Sequence, residues 1–191
     1  MKKMITALMA TGIIMGSAFA QTMSVGVKAG ANFANLKPEG SSPYSTKTDL
    51  HGGLLFHIHV TDKFAFQPEV VYSGQGAKSK VNSKDKINLG YLNVPLLGQY
   101  MFSNGFRIET GPQAGILMSA KAKTSNVSTD IKDELNGFDL AWTAGLGYKS
   151  TGGLGVDARY NFGLSNINKD DAAGKLKNNV IQVGLFYQFN P

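Results

Sequence analysis

The chain has 191 residues, 23 glycines and no cysteine, and only 17% of it is charged. That composition excludes a disulfide framework, a lipid-bearing cysteine, a charge-rich disordered chain and, because the glycines have no triplet period, collagen. A net charge of +6 with a mean hydropathy of -0.11 describes, in bulk, a soluble basic protein with an anionic partner.

The order of the residues points elsewhere. Met1-Lys2-Lys3, the apolar stretch from Met4 to about Met15, and Ala18-Phe19-Ala20 before Gln21 predict a cleavable export signal over 1–20 and a mature domain over 21–191. Export makes nucleic acid an unsuitable partner. No later apolar run is long enough for a transmembrane helix.

The mature chain instead alternates with a period of two. In the first segment Val25, Val27, Ala29, Ala31 and Phe33 share a face against Gly26, Lys28, Gly30 and Asn32. The second sets Leu54, Phe56, Ile58 and Val60 against Leu55, His57 and His59. The third sets Phe64, Phe66, Val70 and Tyr72 against Gln67, Glu69 and Ser73. The fourth opposes Leu92, Val94, Leu96 and Tyr100 to Tyr91, Asn93 and Gln99. In the fifth, Phe106, Ile108, Ile116 and Met118 oppose Arg107, Glu109 and Gln113. In the sixth, Phe138, Leu140, Trp142 and Leu146 oppose Asp139, Thr143 and Lys149. The seventh sets Leu154, Val156, Tyr160 and Phe162 against Asp157, Arg159 and Asn161. The eighth sets Ile181, Val183, Leu185, Tyr187 and Phe189 against Gln182, Gly184 and Gln188.

Eight such segments, of roughly ten residues each, suit strands that cross a bilayer at a tilt. Short turns at 61–63, 103–105 and 150–153 alternate with polar stretches near 34–50, 75–87, 119–137 and 165–179, which are expected to be long outer loops. The fold expected is all-β, an eight-stranded antiparallel up-and-down transmembrane β-barrel.

Alternation alone also fits a soluble barrel with an apolar interior. The charges decide between them. Lys28, Arg107, Lys149 and Arg159 stand against Glu69, Glu109, Asp139 and Asp157, all on the polar face. Equal numbers of each sign are what an enclosed, mutually paired network requires. Most strand glycines lie on that face too, where small residues make room for long ones inside a narrow barrel. The polar face is therefore expected to line the lumen. Aromatic residues at the segment ends form two girdles: Phe64, Phe102, Phe106, Tyr148 and Phe189 on one side, Phe33, Tyr72 and Phe138 on the other.

Several motifs resemble PorT-like outer-membrane β-barrel proteins, a kind of small barrel like the OmpA and OmpX types. They are Val25 through Phe33, Gln67-Pro68-Glu69, Tyr72-Ser73-Gly74-Gln75-Gly76, Tyr91-Leu92-Asn93-Val94-Pro95, Gly145-Leu146-Gly147-Tyr148 and Val183 through Phe189. The resemblance spans essentially the mature chain and implies the barrel fold. It further implies, through the family's name-giver, an association with type IX secretion. The chain departs from the usual barrel ending by placing Asn190-Pro191 after the terminal aromatic.

Signs of chemistry are sparse. His57 and His59 share a strand face, but no nearby His or Cys completes a metal set, so neither metal nor cofactor is expected. The four strand carboxylates each have a basic candidate partner, which favours structure over acid–base work. Eight strands leave no continuous aqueous pore. Lys78, Lys80, Lys84 and Lys86, close together in one outer stretch, are the basic cluster expected to meet outer-membrane lipid, including lipopolysaccharide phosphates. The function expected is a monomeric envelope barrel with a structural or loop-mediated binding role. Two alternatives stand beside it: an accessory of a secretion machine with an envelope protein partner, and a lipid-modifying enzyme.

Overall fold

A computed structural model describes residues 23–40, 42–82, 84–124, 127–170 and 174–189; the predicted export signal lies outside these. The strands are β1 (Met23–Pro38), β2 (Tyr44–His59), β3 (Phe64–Ser79), β4 (Lys86–Met101), β5 (Phe106–Thr124), β6 (Val127–Asp130), β7 (Phe138–Lys149), β8 (Leu154–Gly163) and β9 (Leu176–Gln188). Each barrel strand pairs antiparallel with its neighbour, and β1 pairs with β9 to close the ring of eight. The short β6 is an addition that pairs with the far end of β5. Closure satisfies the backbone groups that a bilayer leaves no water to satisfy.

Burial fixes which face meets lipid. Leu146 and Leu185 are about 60% exposed, whereas Glu69 and Glu109 are 1% exposed. A soluble barrel shows the reverse. The aromatic residues assigned to the two girdles all lie on the outer surface.

Two of the tight turns are alike, and glycine is needed in both. Gly105 donates to the Phe102 carbonyl (3.1 Å) and Gly153 to that of Ser150 (3.1 Å), with φ of 90° and 87°. A side chain is strained in that left-handed region.

The outer end differs from the loops expected there. The stretches 34–50, 75–87 and 119–137 are largely strand, because β1 to β5 run for 16 to 19 residues. About 10 residues suffice to cross the membrane, so the barrel wall itself continues beyond it. A bulge in β5 resets the alternation there. Tyr91 faces Leu117 while Gly90 faces Ser119, which leaves Met118 as the extra residue. Below the bulge the odd-numbered residues of β5 point inward; above it Ala120 does.

The interior of this extension is mainly apolar, with Lys47, Gln75 and Asn178 as buried polar members. Leu36, Ala77, Leu89, Tyr91, Leu117, Ala120, Ile167 and Leu176 form one buried cluster, with Tyr44, Ile87, Ile131 and Leu135 packed against it. The lumen is therefore not polar throughout, as the alternation of the lower segments suggests, but polar below and mainly apolar above.

Candidate functional site

In the lower lumen five charged side chains from four strands meet. Lys28 of β1 donates to Asp157 (3.0 Å) and Glu69 (3.4 Å). Arg159 of β8 grips Glu69 with two parallel bonds of 2.8 Å, and its Nε donates to Glu109. Gln99 donates to Glu109 (2.8 Å) and receives Arg107 Nη1 at 3.4 Å, so a third base is tied to the cluster. Three bases thus face three acids. All six are at most 4% exposed, which isolated charges do not tolerate.

Small residues make this crowding feasible. A Cβ on Gly145 would lie 2.7 Å from Arg159 Cγ, and one on Gly155 would overlap the Phe186 ring. Phe186 faces inward beneath Arg107, whose guanidinium carbon sits 4.4 Å from the ring centroid. The run Leu185-Phe186-Tyr187 hides this in the sequence, because all three residues are apolar.

The remaining two strand charges stand apart. Asp139 of β7 lies near the outer end and accepts from Ser165 Oγ. Lys149 lies at the short-turn end; its backbone donates to the Gly105 carbonyl (2.9 Å), but its ammonium has no hydrogen bond or ion pair among the described residues. Equal numbers of each sign in the sequence therefore do not correspond to one network. A pair outside the original eight, Lys47 with Asp49, adds an ion pair in β2.

His51 Nδ1 lies 2.8 Å from Asn32 Oδ1, and the His57 and His59 rings meet edge-on at 4.6 Å. Among the described residues no three His, Asp or Glu side chains are grouped to hold a metal ion.

Above the lumen, the connection after β8 closes the barrel mouth. Ile167, fully buried, enters the apolar cluster. Asn136 pins it from the other side, donating through Nδ2 to the carbonyls of Asn166 and Asn168 (both 2.9 Å) and through its backbone to Ile167 (2.8 Å).

On the outside of the wall, the four clustered lysines separate. Lys80 turns to the Ser42 carbonyl (2.8 Å) and Lys84 sits exposed at the β3–β4 turn. Lys78 and Lys86 are direct cross-strand partners, and Lys86 also faces Lys123 of β5. The same row ends on Ser45 of β2 and Ser128 of β6, so it carries three lysines and no carboxylate. Ala77 and Ile87, next in chain to Lys78 and Lys86, belong to the apolar interior, which puts the lysines on the outer face. Lys123 escapes sequence reading because 37 positions separate it from Lys86 and the β5 bulge sets its face.

The profile of the outer membrane protein beta-barrel domain family matches residues 19–169. The chain belongs to this family. Its barrel is an outer-membrane protein of the small kind. No curated protein matches it by sequence. Solved structures with the same fold include Neisserial surface protein A, with 11% identity over 86% of this chain and 97% of that one and a TM-score of 0.59. The Yersinia pestis attachment invasion locus protein Ail aligns at 15% identity over 88% and 99%, with a TM-score of 0.57. Ail in complex with the heparin analogue sucrose octasulfate aligns at 16% identity over 88% and 99%, with a TM-score of 0.55.

Proposed function

We propose that this outer-membrane barrel is a closed, non-enzymatic scaffold that binds anionic envelope glycolipid along its outer wall. The mature domain is taken as 21–191, with the short turns in the periplasm and the lysine-bearing extension outside. The observation that carries the reading is the row Lys78–Lys86–Lys123. Like charges directly opposite on neighbouring strands destabilise a sheet, so a wall that aligns three of them is suited to an anion that sits between them. The row lies six residues beyond the girdle residue Tyr72 on β3, about 20 Å along the strand, and faces sideways over the lipid. Lipopolysaccharide phosphates are the matching chemistry. That Ail was solved with a sulfated heparin analogue supports polyanion binding by a barrel of this shape.

A closed interior supports the scaffold reading, since Gln67, Glu69, Gln99, Glu109 and Gln188 are all at most 2% exposed. The lumen carboxylates Glu69, Glu109 and Asp157 are held by bases, which speaks against acid–base catalysis by them. The PorT-like kinship is the finer family reading, supported by the motifs of β1, β3, β4, β7 and β9.

The test is binding of purified lipopolysaccharide to the folded barrel in detergent, comparing the wild type with the triple variant K78Q/K86Q/K123Q. Each lysine near an anionic surface is worth about 1 kcal/mol, so the loss expected is about a hundredfold. The heat-modifiable gel band should remain. An unchanged affinity overturns the reading.

A further inference from the structure

At the short-turn end of the barrel a cavity of about 100 Å³ opens between β2, the β4–β5 turn, β5 and β7. Four nitrogen-bearing side chains line it, His57, His59, Arg107 and Lys149, and no carboxylate does. Phe102 and Phe106 form part of its wall. It is remote from the lysine row, which lies at the opposite end of the same strands.

Two of these side chains are almost wholly buried and leave nitrogen atoms unpartnered. Arg107 is 4% exposed and His57 1%. The Arg107 guanidinium is held by the Phe186 ring and by Gln99, while Nη2 has no acceptor among the described residues. A guanidinium N–H left without an acceptor in a buried position is costly. His57 Nε2 is likewise without a partner.

The hydrogen bonds behind His57 fix its proton. Gln67 Nε2 donates to Glu69 (2.7 Å), so the Gln67 oxygen faces His57 and must accept from Nδ1 (3.2 Å). A neutral His57 therefore carries its free lone pair on Nε2, in a residue that lines the cavity. Arg107 and Lys149, which carry only donors, line the same space. One small ligand satisfies all three: an oxyanion that still carries a proton, its O–H given to His57 and its charged oxygens taken by Arg107 and Lys149.

We propose that this cavity is a binding site for a hydrogen-phosphate-type oxyanion, open to the short-turn side. His59, exposed beside His57, forms its rim. A phosphate group is small enough for the space, and charge-assisted hydrogen bonds from Arg and Lys are the strong ones. The site is independent of glycolipid binding on the outer wall.

The experiment titrates inorganic phosphate into the folded full-length mature barrel at neutral pH and follows binding by calorimetry and by 31P line broadening. Chloride at matched ionic strength and sulfate serve as comparisons. Saturable phosphate binding is expected, with sulfate weaker because it offers no proton to His57. Lys149→Gln should lower the phosphate affinity about tenfold, and its fold should survive, since Lys149 has no structural partner to lose. His57→Phe should abolish the preference for phosphate over sulfate; Arg107→Gln is the less useful variant, because it also releases Phe186. Absence of saturable binding overturns the proposal. So does a chloride response equal to the phosphate response, equal binding of sulfate by the wild type, or an unchanged affinity in Lys149→Gln.

Discussion

The lower and upper halves of this barrel share the same strands yet fill their interiors by different physics. Below, Lys28 and Arg159 are ion-paired with Glu69, Glu109 and Asp157, and Arg107 is tied to the set through Gln99. Above, Leu36, Leu89, Tyr91, Leu117 and Ile167 pack as a mainly apolar core, with only a few buried polar side chains such as Gln75 and Asn178 beside it. The lower half is surrounded by lipid, so an apolar interior would leave the strand no sidedness, and inside and outside would be interchangeable in register. A polar lumen makes a one-residue slip prohibitive, because it would turn charges toward lipid. The upper half emerges into water, where burying apolar surface stabilises directly and sidedness follows as in any soluble sheet.

This contrast predicts different penalties for comparable losses. The largest belongs to Arg159→Met, which leaves Glu69, Glu109 and Asp157 with only Lys28 and the indirectly linked Arg107. Breaking a buried ion cluster in this way costs about 3–5 kcal/mol. Urea unfolding in detergent or lipid vesicles should show a much lower midpoint, whereas Arg159→Lys, which keeps the charge and loses the two-pronged grip on Glu69, should lie between. A wild-type midpoint for Arg159→Met would show that the lower half gains nothing from its ionic set.

Truncation in the upper half should hurt less and more locally. Ile167→Ala removes a fully buried side chain from the cluster, for which about 2–3 kcal/mol is expected, near the low end of core truncations because a connection rather than a strand supplies it. The effect should appear as faster amide exchange and protease cutting over residues 164–170, with the transmembrane strands still protected. If exchange rises equally in β1 and β9, the two halves unfold as one unit and the contrast is broken.

The same contrast explains what the sequence discloses. Period-two alternation assigns a face to each residue without knowledge of its partner, so the lipid-facing set and the lumen charges are readable from segments such as Leu154 to Phe162. The ion-pair geometry is not readable, since Arg159 meets Glu69 across 90 positions and both Asp139 and Lys149 are equally charged yet unconnected to the set. The cap is hidden for another reason. Its residues come from stretches that are polar on average, and Ile167 is a lone apolar residue between Asn166 and Asn168. The β5 bulge at Met118 then inverts the pattern, so Lys123 reaches the outer wall through a local irregularity that composition does not encode.

The smallest effect expected tests whether the cap is latched or merely packed. Asn136 contributes two side-chain hydrogen bonds to the carbonyls flanking Ile167, and its backbone bond to Ile167 is independent of the side chain. Asn136→Ala therefore removes the clamp and leaves the apolar contact in place. Two neutral, half-buried hydrogen bonds contribute about 1–2 kcal/mol together. Exchange over 166–168 should rise by about tenfold, less than in Ile167→Ala, and Asn136→Asp should not restore protection, because a carboxylate cannot donate to those carbonyls. If Asn136→Ala opens the cap as far as Ile167→Ala does, the outer mouth is closed by the latch, and the apolar cluster follows from its closure.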